Sequence, residues 1–218
     1  RQKIESNAVL LHIPITIFES NIFEVANSSE QSPCYLCARM RRGHLYSKAK
    51  ELGCNKIALG HHFNDVIETT VMGMFYGAQI QAMPPKLHST SFPGMTLIRP
   101  LYCVHEDDIL AWKRYNDLEF IQCACRFTEN CTLCDNGGGG SKRQEVKILL
   151  RRLKRDSPNI EKSIFASIHA VSLDTMVGYK TEGVTHSFLE RFDRKEQELK
   201  EQCSQCSQCS QCSQPSQD

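Results

Sequence analysis

Residues 56–69 read Lys56-Ile57-Ala58-Leu59-Gly60-His61-His62-Phe63-Asn64-Asp65-Val66-Ile67-Glu68-Thr69. Lys56 to Leu59 has the character of a short buried strand, and Gly60 breaks it. From Asp65 to Tyr76 the pattern is helical, entered through Asn64-Asp65 as a cap region. A strand that runs into a helix through a short polar turn places His61, His62 and Asp65 at a strand's carboxyl end. Ligands bind there in open α/β sheets. Two histidines and an acid at such a turn suit a nucleotide phosphate or Mg2+. The same residues also suit a plain helix cap with exposed histidines.

Working outward, Ile15 to Phe18 reads as a short strand after Pro14, and Asn27 to Pro33 as a polar loop. Ala38 to Leu52 has helical spacing, with Gly53 as its C-cap signal. Downstream, a loop through Met83-Pro84-Pro85 leads to a strand over Thr96 to Leu101, a helix over Glu106 to Tyr115 and a strand over Glu119 to Gln122. This rhythm predicts an α/β fold with a parallel sheet. Residues 136–141 (Asn-Gly-Gly-Gly-Gly-Ser) read as a flexible turn. They are followed by a basic helix, Lys142 to Arg155, and a second helix, Ile160 to Ala170. The expected organisation is a nucleotide-binding domain over 1–135, a basic helical region over 136–193 and a disordered charged tail over 194–218.

The composition agrees with a folded chain. In 218 residues, 40% are apolar, 10 are Phe, and 26 Lys+Arg stand against 25 Asp+Glu. That is enough apolar surface for a core, and the length suits one or two domains. No apolar run approaches the roughly 20 residues of a membrane helix, and no secretory h-region is visible, so the expected compartment is the cytoplasm. The chain opens on Arg1 without an initiator Met, which reads as a fragment or a processed chain.

Twelve cysteines are present, four of them in a Cys-Ser-Gln repeat at 203, 206, 209 and 212. Cys34/Cys37, Cys123/Cys125 and Cys131/Cys134 form close pairs, which in a chain without an export signal read as metal or redox ligands. Cys34-Tyr35-Leu36-Cys37 lets two thiolates reach one metal, and the arginines after it lower thiol pKa. A zinc knuckle and a redox pair are the competing readings. No thioredoxin-type context surrounds the pair, so metal is favoured. Cys123 and Cys125 would share one face if the strand before them continues, and Cys131/Cys134 could be a separate half-site. Cys54 and Cys103 read as small core residues.

Lys142, Arg143, Lys147, Arg151, Arg152, Lys154 and Arg155 stand against one acid, Glu145, in a nearly neutral chain. With Arg39, Arg41, Arg42, Lys48 and Lys50 they make two basic helices suited to a phosphate backbone, or simply to solvent. Arg41, Arg42, Lys142, Arg143, Arg151 and Arg152 are the RNA-binding candidates.

Together, Cys34 to Tyr46, Lys56 to Thr69, Met74-Phe75-Tyr76-Gly77, Met83-Pro84-Pro85-Lys86-Leu87 and Ile98-Arg99-Pro100-Leu101 resemble the tRNA 2-thiocytidine synthetases of the PP-loop ATPase superfamily. The likeness ends before the charged tail. It implies a HUP-type (adenine nucleotide alpha hydrolase-like) parallel sheet with extra C-terminal helices. It also implies ATP, Mg2+, a 4Fe–4S cluster on three cysteines with one iron open to carry sulfur, and adenylation of the C2 oxygen of a tRNA cytosine before sulfur replaces it. On this likeness Cys34 and Cys37 are cluster ligands. The third is Cys123, with Cys125 and the Cys131/Cys134 pair left open. Asp65, Cys34 and Cys37 are the expected catalytic set, and Gly60, His61, His62 and Asp65 the nucleotide site. A sulfur donor such as a cysteine desulfurase system is implied, and the paired basic helices suit a homodimer.

Two departures stand out. The family's Ser-Gly-Gly-Lys-Asp-Ser phosphate loop and first strand are absent, and Asn64 stands where the family has an acid. The expectation is therefore a thiolase activity of the parent protein, with this chain alone inactive. The alternatives are a non-catalytic metal- and RNA-binding module, or a PP-loop enzyme that modifies another nucleoside.

Overall fold

The computed structural model describes residues 1–22, 33–120 and 142–205. Of the loop expected over Asn27–Pro33, residues 27–32 lie outside the described residues, as do the cysteines at 123, 125, 131 and 134 and the Gly-rich turn at 136–141, while Pro33 opens a helix. The chain divides into two compact units, Arg1–Ile168 and His169–Asp218. The basic helix, although it follows the Gly-rich turn, thus belongs to the first unit.

In the first unit the described elements are α1 (Gln2–Leu10), α2 (Pro33–Glu51), β1 (Lys56–Ala58), α3 (Phe63–Gly77), β2 (Lys86–His88), β3 (Thr96–Ile98), α4 (Glu106–Tyr115), α5 (Lys142–Asp156) and α6 (Ile160–Ser167). β1 and β3 pair in parallel, with Ile57 opposite Leu97. The parallel pairing expected of the fold is present, and β2 adds an antiparallel neighbour to β3 that hydropathy did not signal. α2 ends at Glu51, and Gly53 just beyond it has a φ of +72, the left-handed cap glycine allows. The Cys54 N–H reaches back to the Ala49 carbonyl at 2.8 Å, closing that cap.

Two apolar clusters form the core of this unit. Tyr46, Ile57, Met95 and Leu97 fill the space between α2 and the sheet, with the Tyr46 and Phe92 rings stacked 4.9 Å apart. Phe63, Ile67, Val71, Val146 and Leu150 join α3 to α5, and Ile164 and Phe165 of α6 pack against them. The spacing of 146 and 150 turns one stripe of the basic helix inward.

Several expectations need correction. No strand forms over Ile15–Phe18, because none of the described residues pairs with that segment. β3 stops at Ile98 because Pro100 has no N–H and the Tyr102 N–H turns back to the Arg99 carbonyl at 3.1 Å. Glu119 and Phe120 are not in a strand. Cys54 and Cys103 are exposed instead of core, since each sits in a turn at the exit of an element.

The second unit holds a short 3₁₀ turn (Leu173–Thr175), a hairpin of β4 (Gly178–Thr181) and β5 (Val184–Ser187), and α7 (Phe188–Gln205). Helix thus extends into the segment expected to be disordered, up to Gln205. Its alternation of apolar and charged residues is helical despite the polar composition.

Candidate active site at the carboxyl ends of β1 and β3

The turn from Gly60 to Asp65 joins β1 to α3, and each residue in it has a distinct task. Asp65 accepts the His62 backbone N–H at 3.1 Å through Oδ2, one half of a capping box. Its other oxygen, Oδ1, lies 2.9 Å from Arg143 Nη1. The Phe63 N–H donates to the Val104 carbonyl at 3.0 Å, and Asn64 Oδ1 accepts the Glu106 N–H at 2.9 Å. Asn64 therefore ties the start of α3 to the start of α4, a job its amide does without bringing a second negative charge beside Asp65.

Arg143, one of the RNA-binding candidates, lies against α3. Its guanidinium also reaches Glu68 Oε2 at 3.1 Å and Thr69 Oγ1 at 3.3 Å. It is thus fastened to the first turn of α3, with its side chain still 44% exposed. The signal was present in the sequence: residues 143, 146, 147, 150 and 154 form one helical stripe with Val146 and Leu150, the buried side of α5. Lys147 follows the same rule and pairs with Glu106 at 2.6 Å.

Burial lowers the His61 imidazole below its ordinary pKa, and Arg99 and Arg143 lower it further against the opposing charge of Asp65. Glu68 is shifted the other way: burial raises it, against Arg143 and Lys147. Arg99 follows β3 directly, is depressed mainly by burial, and feels the charge of Arg42. Its Nη1 donates to the Pro84 carbonyl. Arg99 Nε, His61 Nδ1 and His62 Nδ1 are buried without a hydrogen-bond partner. Buried polar atoms without partners are costly, so their occurrence here marks a place built for a polar guest. Sequence reading missed Arg99 as a site residue. Its position just past a strand's carboxyl end was the available cue.

Beside this turn lies an open groove of about 790 Å³, walled by Gly60, His62, Leu101, Val104, Trp112 and Phe120. Apolar walls with a few polar groups at one end are the usual make-up of a site for a small organic ligand. Among the described residues no group of three or more His, Cys, Asp or Glu side chains is close enough to hold a metal.

The other expected site residues are placed as follows. Cys34 and Cys37 lie at the start of α2, three residues apart. Arg41, Arg42, Arg151 and Arg152 are exposed. Lys142 is held in an exposed pair with Glu145 at 3.0 Å, its ammonium 4.9 Å above the Tyr76 ring. No helix of the described residues is long and apolar enough to cross a membrane.

A parallel strand pair with a polar turn at its carboxyl end, unpaired ring nitrogens in that turn, an unpaired guanidinium N–H just past β3 and an apolar groove alongside define an α/β domain of the ligand-binding class. The chain belongs to the PP-loop domain family, whose model matches residues 3–126.

Among curated relatives, it is 36% identical over 166 residues to a tRNA-cytidine(32) 2-sulfurtransferase of Vibrio parahaemolyticus, covering 74% of this chain and 52% of that protein. It is 42% identical over 139 residues to the like-named protein of Methylobacillus flagellatus, covering 63% of this chain and 42% of that one. The chain thus spans about half the length of the curated relatives it matches. Among solved structures, the U34-tRNA thiolase NcsA of Methanococcus maripaludis, described with its [4Fe-4S] cluster, superposes with a TM-score of 0.56 at 19% identity. That match covers 81% of this chain and 58% of that one, and is a likeness of fold.

Proposed function

We propose that this chain contributes to ATP-dependent thiolation of tRNA in the cytoplasm, converting a cytidine to 2-thiocytidine. The observation that carries the reading is the unpartnered set His61 Nδ1, His62 Nδ1 and Arg99 Nε beside an apolar groove, in a PP-loop chain whose relatives are named for this reaction.

The residues present fit a nucleotide. Arg99 and the neighbouring Arg42 supply positive charge for phosphate, and His61, held neutral by burial, can donate or accept a hydrogen bond without adding charge. Both Asp65 oxygens are already engaged, so Asp65 acts by holding the turn in shape, and Mg2+ would arrive with the phosphates. Leu101, Val104 and Trp112 give the groove an apolar wall against which a bound nucleotide would shed water, limiting its hydrolysis while an amide-like carbonyl is activated.

The thiol donor set fits an iron–sulfur cluster. Cys34 and Cys37 would hold it with Cys123, Cys125 or one of the Cys131/Cys134 pair, and when bound it would supply an open iron for sulfur. The sulfur itself would come from a donor such as a cysteine desulfurase system. The tRNA backbone would lie along Arg41, Arg42, Arg151 and Arg152, which remain exposed.

The test is anaerobic purification with iron, sulfide and zinc analysis, together with nucleoside analysis of tRNA from cells lacking the gene. Iron and sulfide lost in Cys34→Ala and kept in Cys54→Ala, with 2-thiocytidine missing from the deleted strain, are the expected results. Stoichiometric zinc without iron would overturn the cluster. Loss of a different thionucleoside would favour a second reading, thiolation of another base, for which the fold likeness to a U34 thiolase is the supporting observation.

A further inference from the structure

The Gly60–Asp65 turn is braced by a side chain that arrives from far along the chain. Helix α5 lies beyond residues 3–126, the stretch that the PP-loop family model matches, yet its Arg143 reaches three residues at the start of α3. Nη1 meets Asp65 Oδ1 at 2.9 Å and Glu68 Oε2 at 3.1 Å, and Nη2 meets Thr69 Oγ1 at 3.3 Å. Positions 65, 68 and 69 follow the i, i+3 and i+4 spacing of one helix face, so a single planar fork covers all three. The two hydrogens of Nη1 serve the two carboxylates, and one of Nη2 serves the hydroxyl.

What this does for the site follows from Asp65. Its Oδ2 accepts the His62 backbone N–H at 3.1 Å, and His62 walls the apolar groove. Without Arg143, Asp65 and Glu68 are like charges one helical turn apart, and Asp65 is free to rotate out of the cap to separate them. With Arg143 on Oδ1, both oxygens are held and the cap on His62 is kept. The cation also stops Asp65 from standing as a bare anion against an incoming phosphate. His61, in the same turn, feels Arg143 and Asp65 together.

Other contacts hold α5 in place. Tyr76 Oη donates to Glu145 at 2.8 Å, and Lys147 pairs with Glu106 at 2.6 Å. Val146 and Leu150 are buried with Phe63, Ile67 and Val71. The helix therefore stays docked when Arg143 is changed, and the effect of Arg143 falls on the turn it grips. We propose that Arg143 is a positioning residue of the candidate active site, holding Asp65, and through it the His62 end of the turn, in the shape that receives a nucleoside triphosphate. The choice of ligand rests on the nucleotide reading of that turn, and the positioning on geometry alone.

The experiment compares the full chain with Arg143→Lys and Arg143→Met by amide hydrogen exchange under NMR and by calorimetric titration with Mg-ATP. Lys keeps the charge but not the fork, which separates shape from charge. Exchange of the His62 amide should quicken about tenfold in Arg143→Lys, the worth of one charge-assisted hydrogen bond, and further in Arg143→Met. The amides from Ile67 to Val71 should keep the protection they have in the parent. Mg-ATP binding should weaken about tenfold in Arg143→Lys.

His62 exchange unchanged in both variants overturns the proposal. Exchange that quickens equally from Ile67 to Val71 also overturns it, by showing that Arg143 only stabilises the helix. Equal Mg-ATP affinity of the parent and Arg143→Lys, with His62 exchange quickened, overturns the link between the shape of the turn and its ligand. A parent that binds no Mg-ATP, while His62 exchange responds as expected, overturns the nucleotide reading and upholds the positioning.

Discussion

Replacing Arg143 by Met should destabilise the first unit far more than replacing any other cation of α5. Met keeps the aliphatic stem and removes only the charge. Arg143 bridges Asp65 at 2.9 Å and Glu68 at 3.1 Å, and the Glu68 side chain is only 7% exposed. Deleting one partner of a buried pair costs ~3–5 kcal/mol, because the other ion is left without compensation. Here the value must be lowered, since the Arg143 side chain is 44% exposed and Lys147 still acts on Glu68. A loss of about 2 kcal/mol remains, which for a unit of this size is a fall of about 4–8 °C in Tm.

The pH dependence follows from the direction of the Glu68 shift. Burial raises its carboxyl, so the native state holds a proton more tightly than the unfolded chain does. The cost of the buried ion is therefore complete at neutral pH. It is relieved as pH falls through the folded value, and is gone below the ordinary carboxylate value. Removing Arg143 raises the folded value further, so the deficit of the variant should be largest near pH 7.5 and shrink towards pH 5. Urea denaturation followed by circular dichroism at both pH values, with Arg151→Met as the exposed control, measures this. An Arg143→Met midpoint equal to the control at pH 7.5, or a deficit that grows on acidification, would refute the reasoning.

Two further outcomes are expected. The His61 ring should titrate below the ordinary histidine value of about 6.5, because burial and two nearby arginines disfavour its cation, and should rise when a phosphate-bearing nucleotide binds; a midpoint at or above that value by NMR contradicts the site geometry. Reversing the exposed Arg151, Arg152 and Arg155 to Glu should weaken tRNA binding and flatten its salt dependence by about two to three phosphate equivalents, while identical salt titrations would show that this face of α5 is merely solvated.

The linear chain determined a good deal by itself. The strand at Lys56, the turn at Gly60, the helix that follows and the cap at Gly53 all rest on local pattern, which acts over a few residues and needs no partner. The likeness of the ordered motifs to PP-loop tRNA thiolases was equally legible, since the spacing of those residues is a property of the sequence. Tertiary structure decided the rest. The antiparallel β2 and the missing strand at Ile15–Phe18 turned on which segments find a neighbour, which no local propensity states. The role of Arg143 turned on packing: only when α5 lies against α3 does one of its seven cations meet Asp65 and Glu68, while Arg151 and Arg152 stay in solvent. Arg99 became a site residue for the same reason. Its neighbours reach it by different routes, Pro84 through the antiparallel pairing of β2 with β3, His61 through the parallel pairing of β1 with β3 and Arg42 from α2, so its unpaired Nε exists only in the folded chain.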